Sequence, residues 1–371
     1  MTAVRKWLAG AGLVVALLLT TFLFVMSHDA ACPQEAADAK GGEPMKAVVR
    51  RCYGGTEVLR LDALERPTPA DDQVLVRVIA AATNPLDWHE MTGTPYLMRL
   101  GTGFGAPREP RLGTDFAGVV VALGKGVTRF KVGDEVFGGG NGAFGEYVLA
   151  RAARGIALKP AGLSFAEAAA MPVAAVTALQ ALRDSGQLQA GQSVLINGAS
   201  GGVGTYAVQI AKAMGATVTG VCSTRNLDLV RSLGADHVID YTAQDYTQLD
   251  EKYDVIIDNV GNHGLLAQKR VLAAKGRYVM IGGPKSNHWI GPMARAAGAG
   301  LLGLISSQGF GFMLARLEPN DLEMLAQMAE QGKIRPVIDR HYPLEDIAQA
   351  IDYQASSRAR GKIIIDVTAR D

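Results

Sequence analysis

Cysteine is scarce in this chain. Cys32, Cys52 and Cys222 are the only three in 371 residues. They lie far apart, so no disulfide framework is expected, and no Cys-x-x-Cys spacing offers a metal site. Charge of one sign is equally lacking: 37 Lys and Arg stand against 36 Asp and Glu, a net charge of +1. No basic run or stripe interrupts that balance, which excludes the electrostatic footprint of a nucleic-acid binder. Internal repeats and heptads are also missing, and with them solenoids and coiled coils. What the chain does have is length enough for two domains and a large core.

One long apolar run stands at the N-terminus. Arg5 and Lys6 precede Trp7–Met26, which carries no charge, and the polar stretch Ser27–Pro44 follows. Twenty residues of helix span about 30 Å, the thickness of the bilayer's hydrocarbon core. A cleaved signal usually has a shorter apolar region, about 7–15 residues. Val25 and Ser27 form only a weak cut site, and Asp29 spoils Ala30-Ala31-Cys32 as a lipoprotein box. The reading therefore favours a membrane anchor over residues 7–26, with residues 1–44 as anchor or signal plus linker. The flanking charges would hold Met1 in the cytoplasm and place the body across the membrane. The alternative is a true start at Met45, where a strand begins cleanly, and a cytoplasmic protein.

The most telling segment is Ser193-Val194-Leu195-Ile196-Asn197, an apolar strand, followed by Gly198-Ala199-Ser200-Gly201-Gly202-Val203-Gly204 and an amphipathic helix to Lys212. A helix entered through such a turn presents free N–H groups and its positive dipole end to a pyrophosphate. Gly201, Gly202, Val203 and Gly204 are the expected backbone contacts. The next strand, Thr217–Cys222, ends in Ser223, Thr224 and Arg225. NAD sites usually place an acid there for the ribose 2′-hydroxyl. Hydroxyls with a guanidinium suit a 2′-phosphate instead, which favours NADPH over NADH. The plain alternative is that Arg225 is a solvated surface charge.

Residues 45–160 are rich in β-branched runs with Gly/Pro turns, the pattern of a compact β domain. Residues 161–305 alternate helix and strand, which gives a parallel, doubly wound sheet. Residues 306–371 are expected to return to the first domain. The fold class is therefore α/β, preceded by a hydrophobic helix.

From Met45 onward the chain resembles the medium-chain dehydrogenase/reductases in their zinc-independent quinone reductase branch. The likeness rests on ordered blocks: Asn84-Pro85-Leu86-Asp87, Gly113-Thr114-Asp115-Phe116-Ala117-Gly118, Val132-Gly133-Asp134-Glu135-Val136-Phe137, Phe144-Gly145-Glu146-Tyr147-Val148, the glycine turn, Val238-Ile239-Asp240-Tyr241 and Gly361-Lys362-Ile363-Ile364-Ile365. Within it the chain looks most like the NADPH-dependent reductases that include the reticulon-interacting mitochondrial protein. The resemblance implies a GroES-like β domain joined to a Rossmann domain. Zinc enzymes of the family carry Cys, His and usually Cys where Asn84, Thr114 and Val173 stand. Asn, Thr and Val do not furnish the three ligands of a catalytic zinc, so no metal is expected. Without a Lewis acid a simple ketone is poorly polarised. A quinone or an α,β-unsaturated carbonyl accepts hydride more readily, because charge spreads to an oxygen that hydrogen bonds stabilise.

The resemblance also assigns roles. Tyr241 lies along the adenosine phosphate; its alternative is an aromatic packed at a strand end. Asn259 and Gly282 sit at strand tips, where open sheets bind ligands. Asn84 approaches the nicotinamide ribose or the substrate carbonyl, and Asp87 orients its loop. Tyr96 is the candidate proton donor, a pocket-wall role being the alternative. His89 reads as structural. The apolar insertion His288–Phe312 lines a hydrophobic substrate pocket or a homodimer interface. Two further readings stay open: a membrane-tethered NADPH-binding interaction protein, since fold alone does not establish activity, and an alcohol dehydrogenase acting on an aldehyde or ketone.

Overall fold

The computed structural model describes residues 2–33, 42–284 and 287–368. The chain opens with a helix, Thr2–Ser27. Most of its described apolar side chains, among them Leu13, Leu17, Leu18 and Phe24, are exposed. The expected membrane span over 7–26 is not supported: among the described residues no helix is long and apolar enough to cross a membrane. Ala9 and Gly10, within that run, lie outside the residues whose side chains are described. The end of the helix is fastened to the β domain. Buried Arg99 donates to the carbonyls of Met26 (3.1 Å) and His28 (3.2 Å) and pairs with Asp29 at 2.7 Å.

A second correction concerns cysteine. Cys32 and Cys52, expected to stand apart, form a disulfide with Cα atoms 5.1 Å apart. The partners come from two separate segments, the tail of the first helix and the turn after the first strand. Their spacing in sequence therefore gave no sign of the pairing. Cys222 is free and buried.

The β domain begins with an antiparallel ribbon of β1 (Pro44–Val49) and β2 (Arg60–Glu65). Its main sheet is built from β3 (Gln73–Ala82), β4 (Asp115–Leu123), β5 (Glu135–Gly139), β6 (Tyr147–Arg151) and β7 (Ile156–Leu158). Val74, Val76 and Val78 of β3 pack in its core with Phe116, Val120, Val136 and Val148, as β-branched and aromatic residues on a pleated surface do. The second domain is a parallel sheet of β8 (Ser193–Asn197), β9 (Thr217–Cys222), β10 (His237–Asp240), β11 (Tyr253–Asp258), β12 (Leu272–Met280) and β13 (Gly309–Phe312). Its spatial order is β10-β9-β8-β11-β12-β13, parallel throughout. This is the dinucleotide-binding order, with a ligand crevice outside the carboxyl ends of the central strands, where the strand order reverses. The sheet continues past residue 305 through β13.

The chain then returns. Strands β14 (Ile338–Pro343) and β15 (Lys362–Asp366) join the sheet of the β domain, with Ile364 opposite Ala82 on β3. On the other side of β3, Ala82 faces Asp115. That register brings the starts of β4 and β15 to the end of β3, just before Thr83 and Asn84.

Candidate active site

The glycine turn takes the form its sequence requires. Gly198 leaves β8 with φ +80°, a left-handed conformation that favours glycine. The helix Gly202–Ala213 starts at Gly201, with no side chain capping it. Its first-turn N–H groups, on Gly202, Val203 and Gly204, have no intrahelical partners and face the crevice end of the sheet. A Cβ on Gly204 would stand 2.1 Å from the Gly198 carbonyl oxygen, so only glycine lets the helix sit this close to the strand. Behind the turn Tyr206, Ala207, Ile210 and Ala211 are buried and hold the helix in place.

At the end of β9, Ser223 and Asn226 form a short turn tied to the glycine loop. The Asn226 amide donates to Ser200 Oγ at 2.8 Å and to Ser223 Oγ at 3.3 Å. Thr224 Oγ1 donates to Asp240 at 2.6 Å, so that hydroxyl is engaged. This bond and those from Thr242 hold the Asp240 carboxyl below its usual range. Arg225 is exposed and reaches the Arg358 carbonyl at 2.5 Å, against the returning C-terminal segment. Tyr241 is exposed as well, its ring free of the sheet core. At the tips of β11 and β12, Asn259 donates to the Asn197 carbonyl at 2.9 Å while its Oδ1 is buried without a partner. A Cβ on Gly282 would meet the Asn259 carbonyl at 2.1 Å. Free N–H groups, an orphaned amide oxygen and glycines at two close approaches together fit a dinucleotide.

Across the domain junction lies Asn84, buried, at the N-cap of the helix Pro85–Thr92. Its backbone N–H donates to Asp87 Oδ2 at 2.6 Å. Asp87 is fully buried with Oδ1 unpartnered, and this burial raises its carboxyl well above the usual range. The Asn84 amide oxygen accepts from Lys362 Nζ at 2.7 Å. Its amide nitrogen approaches Asp115 closely enough to help hold that charge, without a full hydrogen bond. Lys362 also donates to the Thr83 carbonyl (2.8 Å) and to Asp115 Oδ2 (3.1 Å), while Asp115 Oδ1 accepts the Val173 N–H at 3.0 Å. Burial raises the Asp115 carboxyl, and Lys362 works against that. Asn84 and Asp115 thus converge on one buried ammonium, and Val173 is tied to it through Asp115. Sequence reasoning gave Lys362 no role. The available signal was a lysine heading an otherwise apolar strand.

Tyr96 opens the short turn Tyr96–Met98, which follows the helix Pro85–Thr92 after left-handed Gly93. Its N–H donates to the His288 carbonyl at 2.7 Å, and its ring meets Trp289 edge-on at 5.1 Å. The guanidinium of Arg99 sits 4.5 Å from the Tyr96 ring and 4.4 Å from the Tyr53 ring. His89 Nδ1 pairs with the Thr94 carbonyl at 2.7 Å, as a structural histidine would. A cavity of about 150 Å³ lined by Arg50, Glu90, Glu109 and Arg111 contains none of these residues. Among the described residues no group of three or more His, Cys, Asp or Glu could hold a metal ion.

A GroES-like β domain and a dinucleotide-type parallel sheet, meeting at a glycine turn and a buried asparagine, define a two-domain nucleotide-dependent fold. Residues 70–181 match the alcohol dehydrogenase GroES-like domain, and residues 233–365 match a zinc-binding dehydrogenase domain. The chain is 35% identical to the 2-methylene-furan-3-one reductase of Solanum lycopersicum, over 91% of this chain and 83% of the relative. It is also 35% identical to a chloroplastic NADPH-dependent alkenal/one oxidoreductase of Arabidopsis thaliana, over 89% and 81%. The solved quinone oxidoreductase of Escherichia coli complexed with NADPH superposes with a TM-score of 0.74 at 25% identity, covering 86% of this chain and 99% of that one. The chain belongs to the medium-chain dehydrogenase/reductase family, in its quinone oxidoreductase-like branch.

Proposed function

We propose that the chain is an NADPH-dependent reductase that delivers hydride to a quinone or an α,β-unsaturated carbonyl without a catalytic zinc. The observation that carries this reading is the meeting of the bare glycine turn with Asn84 at the domain junction, where zinc relatives carry a ligand. Gly202, Val203 and Gly204 hold the pyrophosphate through their N–H groups, and Ser223 and Arg225 face the 2′-phosphate. Tyr241 lies along the adenosine, and Asn259 and Gly282 border the crevice. When bound, NADPH supplies the hydride. Asn84 orients the reacting end, and Tyr96 with Trp289 forms the rim of the acceptor pocket, its phenol available to a developing enolate. Asn84, Thr114 and Val173 offer no ligand set for zinc, which supports a conjugated acceptor over a simple ketone.

The same reading includes a homodimer. β13 is an edge strand, and Leu301, Leu304, Ile305 and Leu314 beside it are exposed, an apolar face of the kind that interfaces cover. The test is NADPH and NADH oxidation measured side by side over a panel of quinones, enals and saturated aldehydes. Turnover of quinones or enals with NADPH preferred is expected. Tight NADPH binding without turnover would instead favour a binding protein, and metal-dependent turnover of the saturated aldehydes an alcohol dehydrogenase.

A further inference from the structure

The returning strand touches both halves of the site through consecutive residues. The Gly361 N–H donates to the Ser200 carbonyl at 2.9 Å, and Gly361 bridges Gly201 in parallel. Gly361 holds φ +79°, and a Cβ there would meet the Val337 carbonyl at 2.2 Å. The next residue, Lys362, has its ammonium buried on Asn84, Thr83 and Asp115. One peptide unit therefore links the pyrophosphate turn to the catalytic loop.

We propose that Lys362 is a positioning residue: its ammonium fixes the Asn84 amide, and through Gly361 it sets the distance between that amide and the cofactor turn. A lysine donates but does not accept, so the atom it contacts on Asn84 must be the oxygen. That settles which way the amide lies and directs its N–H₂ away from the ammonium. A buried ammonium needs a counter-charge, and Asp115 provides it. The same carboxylate takes the Val173 N–H, so the anchor reaches the helix Pro172–Gln180 as well.

This inference rests on the proposed function for its kinetic part only. Removing Lys362 alone would leave Asp115 as an uncompensated buried charge. The informative variant is therefore K362M/D115N, in which both charges go and the Asn can still accept from Val173. Hydrogen–deuterium exchange of the protein without nucleotide is the first readout. We expect exchange at 83–87 and 198–202 to rise about tenfold, with the later turns of the helix Gly202–Ala213 unchanged. In the substrate assay kcat should fall about 30-fold or more while the Kd for NADPH stays within about threefold. N84A should lose as much, and the triple variant should lose no more than either. Losses that multiply would overturn the proposal, because Lys362 would then act independently of Asn84. So would wild-type exchange together with wild-type kcat.

K362R is the second variant, for use if the double substitution does not fold. It keeps the charge on Asp115 but brings a wider planar group to Asn84. A tenfold loss of kcat at unchanged melting temperature is expected, and unchanged kcat would overturn the role. Raised exchange at 83–87 with no turnover by the wild type would sink the substrate reading and leave the positioning role standing.

Discussion

Single residues give sharp tests, here at Gly204, at Ser223 with Arg225, and at Asp87. Gly204→Ala places a methyl against the Gly198 carbonyl, 2.1 Å away. The helix must back off, which costs about 1–3 kcal/mol in stability and moves the N–H groups from the pyrophosphate. Fluorescence titration should show NADPH affinity reduced about tenfold or more, roughly 1.4 kcal/mol. Arg225→Ala together with Ser223→Asp should raise KM for NADPH by a similar factor and leave KM for NADH little changed. An equal rise for both nucleotides would show that Arg225 does not read the 2′-phosphate. Asp87 gives a pH signature. Its carboxyl is raised by burial in the folded chain, so between the ordinary value near 3.9 and the raised one the folded state binds the extra proton. Stability is therefore fully present below about pH 3.9 and falls as pH rises through the folded value. Denaturant unfolding at several pH values above 4 should show that fall in the wild type and a flatter profile in Asp87→Asn.

Among elements, the sequence made plain those whose local chemistry repeats a familiar pattern. The strand, glycine turn and helix at 193–213 were readable because periodicity, glycine placement and apolar spacing all agree there. The N-terminal segment was not readable in the same way. Its composition suggests a free span, yet residues 26–32 are bound to the β domain by Arg99 and by the Cys32–Cys52 disulfide. Arg99 heads the helix Arg99–Thr102, which is too short for a periodic pattern, and its partners Met26, His28 and Asp29 are remote in sequence, which composition does not encode. Motif spacing singles out Tyr96, but its edge-on contact with Trp289, almost two hundred residues away, is visible only in the fold. A disulfide closing a loop of twenty residues contributes about 3 kcal/mol by chain entropy. Cys32→Ser with Cys52→Ser should lower stability by about that much under oxidising conditions and match the reduced wild type. If the reduced and oxidised wild-type proteins melt alike, the bond does not staple this segment.

At the scale of the molecule, the junction between domains joins residues that are distant in the chain: Asn84, Asp115, Val173, Ser200 and Lys362 meet within a few hydrogen bonds. The sequence showed two domains and a C-terminal return. It did not show that the return carries the buried cation between them, because strand register depends on tertiary pairing that no local pattern specifies. This arrangement has a thermodynamic consequence. If β15 and its ammonium bind the two sheets into one cooperative unit, a ligand of the parallel sheet must stabilise the whole chain. NADPH at 100 times its Kd should add about 2.7 kcal/mol, seen as one calorimetric transition displaced upward as a whole. NADH at the same concentration, binding more weakly, should displace it less. Two transitions, with only one of them moved by NADPH, would mean that the domains melt separately and that the junction transmits no stability. In K362M/D115N, where the charged link is gone, the single transition should broaden or split while the NADPH-dependent part keeps most of its shift.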